Sequence, residues 1–566
     1  MRITITLFTI LAFASAALAE TPPRAPDEGI YFNYAAESPF STADDKNQKE
    51  LPPAPVHSPA GPFVTSPTET VRRMSFGSVP AGRVGQVLIE ARREEPNAVL
   101  LATLSGTITV TNAPLRVPSR TCVIFAPGGA VVAGPHVGAD CLVEIANAEF
   151  VSLSTQSGTV ALDGGGRVAI GVRVKGCGKV HLDRLAVTGC TEIGLTYTGR
   201  GGDRFADSGS VTRSSFLRCG RGGIAAREAA QFLCLGNTVA EWGGTGLAID
   251  SPQGLVAGNT VSGGDVGMRA GGAGLVVTRN VLTGRRVALV ATDTANGCLF
   301  SENTFGPGER TVDLAGTACA VFGNTFPATT VGWDPVPTVL SPVGSETQPT
   351  ERAKLRVTGK GHTFVANRNL PPAAIPADGA LWFDPPTPAR NRKENVVAGL
   401  GRFDLAITGR GPKPTPLSQV QETLDEARQS HPQDVIVATL HGSFVADAGP
   451  TGLRLPPNTC VVLDGSISAA MDEPGHRKSP RGRITQLVLM PAEGVASIAG
   501  GVLDGALLPQ HVVNAPGAAV VVLDSVTVRR SGANAITTKE RHNLSRPMFV
   551  RGCRVTDNAG RGIWVH

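Results

Sequence analysis

Five asparagines return at nearly equal intervals along this chain: Asn237, Asn259, Asn280, Asn303 and Asn324, spaced 22, 21, 23 and 21 residues. Each sits in a similar setting: GNTV, GNTV, RNVL, ENTF and GNTF. A repeat of this length marks a solenoid, in which one small unit cannot bury its own apolar face and stacks on the next. The pieces between the asparagines are short and broken by glycine. GLAI (246–249) and GLVAGNTV (254–261) fill one repeat, and GMRA (267–270) and GLVVTRNVL (274–282) fill the next. Leu247 and Met268, Leu255 and Val276, and Val261 and Leu282 all match at a spacing of 21. Alternation within such short segments turns every second side chain inward, and glycine permits the bends between them. The expected fold is a coil of short strands, each pairing in parallel with the strand one repeat away. The asparagines then stack at an inward bend, each bonding backbone and the next asparagine, so they read as a structural ladder rather than as ligands. The LxxLxLxxN spacing of leucine-rich repeats is missing.

The opening of the coil occurs twice. SQVQETLDEARQ (418–429) reads as an amphipathic helix with Ser418 and Gln421 as a capping box, followed by DVIVATLHGSFVA (434–446) and LRLPPNTCVVL (453–463). AVLLATLSGTITV (98–110) and LRVPSRTCVIF (115–125) match those two segments, VALDGGG (160–166) matches GVLDGAL (501–507), and CGRGGI (219–224) matches AGRGIW (559–564). The preceding stretches also agree, PPRAPDEGIYF (22–32) with PPAAIPADGALWF (371–383). Two tandem units follow: a first at 71–326 and a second, incomplete, at 416–566. The second stops at His566 without the ladder coils. That predicts either that a longer protein continues or that another chain caps the open C-terminal end. Residues 20–70 are a Pro-rich N-terminal segment, and 327–415 is a connection with some strand content, such as KLRVTGKGHTFVA (354–366).

With the helix, the "V…L…G.F" and "L.LP..T.V.L.G" segments and the 22-residue coils in hand, the chain resembles the right-handed parallel β-helix proteins of the pectate-lyase-like superfamily. The resemblance spans roughly 84–326 and 417–566. It implies an all-β solenoid whose N-terminal end is covered by a short helix. It also implies a protein acting on polysaccharide, often an acidic one, with its site on the outer face of one sheet between loops.

The N-terminus, MRITITLFTILAFASAALAE, has one basic residue, an apolar run and an A-x-A site at Ala17-Leu18-Ala19. It reads as a signal peptide over 1–19, and predicts a secreted, cell-surface or periplasmic protein. The formal charge is +5 and becomes +4 without Arg2 (5 − 1 = 4), with no long basic run, so nucleic acid is not a partner. No later stretch approaches a membrane span. The ten cysteines form no staple framework and no CxxC, so a zinc site is not expected. Cys298 and Cys319 each precede a ladder asparagine by five residues, so they would stack. Parallel side-chain directions favour buried free thiols over a bridge there.

Two charged loops occupy equivalent places in the two units, TGRGGDRFADSG (198–209) and TTKERHNLSRP (537–547). A lyase of the kind the resemblance implies removes a proton beside a uronic carboxylate, which needs a cation on the carboxylate and a nearby base. Lys539, Arg541 and His542 are the candidate catalytic groups. Arg546, Arg200 and Arg204 are candidates for binding substrate, and Arg546 or Arg541 could hold a carboxylate bidentately. Asp203 and Asp207 are candidate ligands for Ca²⁺, the one cofactor the resemblance suggests, although no dense acidic cluster accompanies them. The bland alternative is that both loops are solvated. Asp163 and Asp504, in LDG of both copies, read as turn residues, and His181 and His511 as packing residues. NLS at 543–545 is a glycosylation sequon. The NTD, DD and GHG motifs of polygalacturonase-type enzymes are missing from the coils, where no pair of carboxylates at hydrolase spacing stands out, and so is the WxDH of pectate lyases. Two functions therefore stand: a secreted lyase, epimerase or hydrolase on polysaccharide, and a non-catalytic adhesin-like protein binding glycans or protein partners. With 4 Trp and 3 Tyr, stacking on sugars is the weaker binding mode.

Overall fold

The structure is a computed structural model. It describes residues 70–200, 208–327, 355–370, 381–387, 396–409, 413–446, 451–469, 484–507, 509–517, 519–538 and 548–565. Both units are parallel β-solenoids. In the first, a 13-stranded, a 9-stranded and a 10-stranded sheet, here sheets 1, 2 and 3, wrap one core. One coil runs Leu255–Ala257 in sheet 1, Thr260–Ser262 in sheet 2 and Val266–Gly271 in sheet 3. Leu255 pairs with Val276 and Val261 with Leu282, as their spacing of 21 demands. The second unit has a 10-stranded and a 5-stranded sheet around its own core.

The bend from sheet 1 to sheet 2 is made by one left-handed residue before each ladder asparagine. These are Gly236, Gly258, Arg279, Glu302, Gly323 and Ala366, with φ between 52° and 65°. The asparagine then serves the corner twice. Backbone N–H and Nδ2–H of Asn259 both donate to Asn280 Oδ1, at 2.9 and 2.8 Å. The same pair of bonds joins Asn237 to Asn259, Asn280 to Asn303 and Asn303 to Asn324. Ser214 N–H donates to Asn237 Oδ1 at one end. At the other end a sixth rung appears: Asn324 donates to Asn367 Oδ1, 43 residues on. Asn367 lies in the segment read as a connection. The strand content of that segment joins the first stack: Leu355–Val357 pairs in sheet 3, and Thr363–Val365 and Leu381–Phe383 in sheet 1. The interval hid this rung because 328–354 intervenes.

Each unit is covered at its N-terminal end by a helix, α1 (Ala81–Glu94) and α2 (Leu417–Ser430). Their inward residues, Val84 and Leu88 on α1 and Val420 and Leu424 on α2, are fully buried. The capping box is not formed. Helix α2 starts at Leu417 with Pro416 as N-cap and no side-chain cap bond. Gln421 instead accepts from Arg454 N–H at 2.7 Å, which ties the helix to the strand Thr451–Arg454 rather than to its own first turn. Both helices close with an arginine that gathers carbonyls. Arg92 bonds those of Glu95, Pro96, Ala98, Ser119 and Arg120, and Arg428 those of His431, Pro432, Asp434 and Asn458.

The two units pack side by side. Val321 belongs to the first core, while Ala320 and Phe322 on the same strand belong to a separate cluster with Val435, Val437, Cys460, Val520, Val522 and Phe549 of the second unit. Strand alternation makes this cluster the outer face of sheet 1 against the outer face of the second unit's large sheet. The Phe322 and Phe549 rings stack at 4.1 Å. All ten cysteines are free, eight of them buried. The Cys298 thiol donates to the Gly272 carbonyl at 3.2 Å and the Cys319 thiol to that of Ala295 at 3.0 Å, and both are free. Burial pushes the Cys234 thiol up to about 12.

Candidate functional site

The outer face of sheet 3 carries two rows of side chains fixed by strand register. One row runs Lys175, Thr198, Arg227, Asp250, Gly271. The other runs Glu144, Arg173, Thr196, Ala225, Ala248, Arg269, Val290, Asp313, Arg356. Neighbours within a row are one strand spacing apart, about 4.8 Å. Inward neighbours such as Val174, Leu195, Ile249 and Met268 are buried in the core, so the rows project on rigid strands.

Most charges at the two ends of this face are paired, while Lys175 makes no ion pair among the described residues. Arg116 pairs with Glu144 at 2.9 Å, Arg173 with Asp140 at 2.7 Å, and Asp313 with Arg310 and Arg356 at 3.3 and 3.7 Å. In the middle the pattern changes. Arg227, Asp250, Arg269 and Asp293 are exposed and make no ion pair among the described residues. They line a groove of about 370 Å³ together with Gly271, Thr292 and Thr294. Thr292 accepts or donates to Thr294 at 2.9 Å and bonds the Ala270 carbonyl at 3.2 Å. The arrangement offers two planar guanidinium donors for anions, two carboxylate acceptors and two hydroxyls.

A second polar cluster lies on the outer face of sheet 1. His181 Nδ1 meets Ser210 Oγ at 2.7 Å, and burial lowers the His181 pKa. Asp183 takes a bidentate pair from Arg213, at 3.0 and 2.9 Å, and a bond from Thr212 at 2.6 Å. This cluster is internally satisfied at the carboxylate. Asp163 and Asp504 cap their own turns, accepting from Gly165 and Ala506 N–H.

Of the residues picked from the sequence, Arg200 is described. Its guanidinium donates to the carbonyls of Gly176 and Ala148, each at 3.0 Å, and so clamps neighbouring turns. Asp203, Arg204, Asp207, Lys539, Arg541, His542 and Arg546 lie outside the described residues. Among the described residues no group of three or more His, Cys, Asp or Glu is placed to hold a metal ion. Sequence reasoning missed Arg227, Asp250 and Arg269. The signal was present: aligning Leu247 with Met268 also aligns the outward pairs Ala248/Arg269 and Asp250/Gly271.

A family model described as "Right handed beta helix region" matches residues 154–305. No curated protein sequence matches the chain. Among solved structures, the chain is similar to the bacteriophage Phi29 gene product 12 N-terminal fragment, with 10% identity over 86% of this chain and 71% of that one, and a TM-score of 0.28. It is also similar to ORF18 of Geobacillus virus E2, with 11% identity over 54% and 61%, TM-score 0.28. A third likeness is to the catalytic domain of a GH87 α-1,3-glucanase solved with tetrasaccharides, with 11% identity over 90% and 71%, TM-score 0.22. Likenesses this low carry no argument about function.

Proposed function

Starting from the premise that this chain is a right-handed parallel β-helix protein, we infer that it is exported and recognises a polysaccharide in the groove on sheet 3. The observation that carries this reading is the set of charges Arg227, Asp250, Arg269 and Asp293, which line one groove and make no ion pair among the described residues, on a face where Arg116, Glu144, Arg173 and Asp313 are paired. Exposed charges normally stay solvated at little cost. Four of mixed sign, three on adjacent strands and Asp293 in the turn after the next strand, left apart from one another, are arranged for a ligand with both charged and hydroxyl groups. A long face with strand-spaced rows suits an extended polymer better than a compact small molecule.

Whether the polymer is also cleaved depends on a base. The groove lining contains no lysine or histidine among the described residues. Asp250 and Asp293 are its general acid or base candidates, and the loop 537–547, with Lys539, Arg541 and His542, remains the proposed source of catalytic groups for a lyase. The same lining favours, as the second reading, an adhesin-like protein that holds glycan without cutting it.

The test is affinity electrophoresis of the secreted protein in gels containing pectin, alginate or a neutral glucan, with and without Ca²⁺. Product release is followed by ultraviolet absorbance and reducing ends. Retardation that weakens about tenfold or more in Arg227→Ala and Arg269→Ala is expected, the loss of one charge-assisted contact each. Retardation unchanged in both variants would rule the groove out. A product signal abolished by Lys539→Ala or His542→Ala, with binding retained, would assign cleavage to the loop.

A further inference from the structure

The strands Lys179–Asp183 and Ser208–Thr212 are neighbours in sheet 1, with His181 opposite Ser210 and Asp183 opposite Thr212. Val180, Leu182 and Val211 turn into the core, so these four side chains stand on the outer face. His181 Nδ1 lies 2.7 Å from Ser210 Oγ, and both residues are half-buried. With the ring neutral and its proton on Nε2, the serine hydroxyl donates to Nδ1, the arrangement in which an imidazole can take that proton. Burial lowers the pKa of the ring and so keeps it neutral, and the charge of Arg213 adds to this against the opposing charge of Asp183. The second copy shows which part of the cluster the fold needs. VHLD (180–183) corresponds to VVLD (521–524), and Asp524 keeps an arginine partner, Arg551. Val522 and Phe549 stand where the first copy has His181 and Ser210, and they too lie opposite each other. The carboxylate–arginine pair is therefore common to both coils, whereas the fold accepts apolar residues in place of the histidine and serine. The second unit covers sheet 1 at Ala320 and Phe322, five strands beyond Ser208–Thr212, so that contact does not account for the polar pair.

We propose that Ser210 and His181 form a nucleophile–base pair that hydrolyses carboxylic esters, at a site on sheet 1 that does not depend on the groove of sheet 3. Ser210 Oγ attacks the acyl carbon as His181 Nδ1 takes its proton. The C–O bond to the alcohol then breaks, and the alcohol leaves with that proton. Water attacks the acyl-serine, His181 passes its proton on in the same way, and the carboxylic acid departs from a restored Ser210. The charge of Arg213, already felt at the ring, favours the oxyanion of both tetrahedral intermediates. Esters are the substrate class because an alcohol leaves with less proton assistance than an amine, and Asp183 is engaged by Arg213 and Thr212. The test incubates the full chain with a fluorophosphonate, which phosphonylates activated serines, and maps the label by peptide mass. Ester turnover is read with an aryl acetate. Labelling at Ser210 and turnover are both expected, both lost in Ser210→Ala and both slowed about hundredfold or more in His181→Ala. Imidazole in solution should restore part of the His181→Ala rate, which a merely structural histidine would not allow. Folded protein without label at Ser210, turnover that survives Ser210→Ala, or labelling without ester turnover would overturn the pair as a hydrolytic site and leave the reading of the groove untouched.

Discussion

At Asn280, two N–H groups donate to Asn303 Oδ1 while Nδ2 also bonds the carbonyls of Val256 and Thr278. The side chain is 1% exposed. Replacing it with alanine strands a buried backbone N–H and carbonyls, each costing about 1–3 kcal/mol. Asn280→Ala is expected to lower the urea midpoint, with a loss of about 3 kcal/mol in total, whereas Asn367→Ala, at the end of the ladder, should cost less. The corners before the ladder allow the opposite test. Ala366 is held at φ 52°, where a Cβ is penalised by about 1–2 kcal/mol. Ala366→Gly should therefore stabilise the first unit by about 1 kcal/mol, read from the same denaturation curve. His181 gives a pH dependence. Burial lowers its pKa below the ordinary 6.5, so between the two values the unfolded chain binds a proton that the folded chain refuses. Stability is full above the unfolded pKa and declines as pH falls through that window. His181→Gln should flatten the decline in urea midpoint measured below about pH 6.5.

At the scale of the strand, the glycines that open sheet 3 matter as much as the asparagines. Gly171, Gly194, Gly223 and Gly246 would each drive a Cβ to within about 2.6 Å of a core side chain: Val187, Phe216, Val239 and, for the last, Trp242 and Val261. Missing side chains here let sheet 3 close over sheet 2. Gly246→Val should overpack this corner and cost about 1–3 kcal/mol or more, seen as a lower melting temperature. The alternation that fixes these inward positions also fixes the outward ones, and the groove follows from it. Arg269 faces solvent because Met268 and Ala270 face the core. The 21-residue spacing of the coils already carries this outward set. The capping box was not legible in the same way. Ser418 and Gln421 have the right spacing, but Gln421 lies against the strand carrying Arg454, and the tertiary partner wins over the local one.

Across the whole molecule, the two copies differ where they meet. His181 and Ser210 pair across neighbouring strands of the first unit. Their counterparts in the second, by the match of VHLD to VVLD, are Val522 and Phe549, which also pair. Val522 and Phe549 are 1% and 5% exposed because Phe322 and its neighbours cover them. A Val522→Lys, Phe549→Ser double variant restores the polarity of the first copy. It should part the two units, raising the radius of gyration in solution scattering while strand content by circular dichroism holds. An unchanged radius would show that the shared cluster does not hold them together.

Periodicity alone determined the coil, the ladder and the duplicated opening, since each depends on a side-chain pattern that repeats with the backbone and needs no distant partner. Tertiary structure alone decided three things. Asn367 joins the ladder across an interruption of the period. Outer valines and phenylalanines become an interface because the other unit lies on them. Arg227, Asp250 and Arg269 make no ion pair among the described residues while identical side chains a few strands away are neutralised. Pairing and burial depend on what lies opposite in space, and the residues opposite come from parts of the chain that the repeat does not relate.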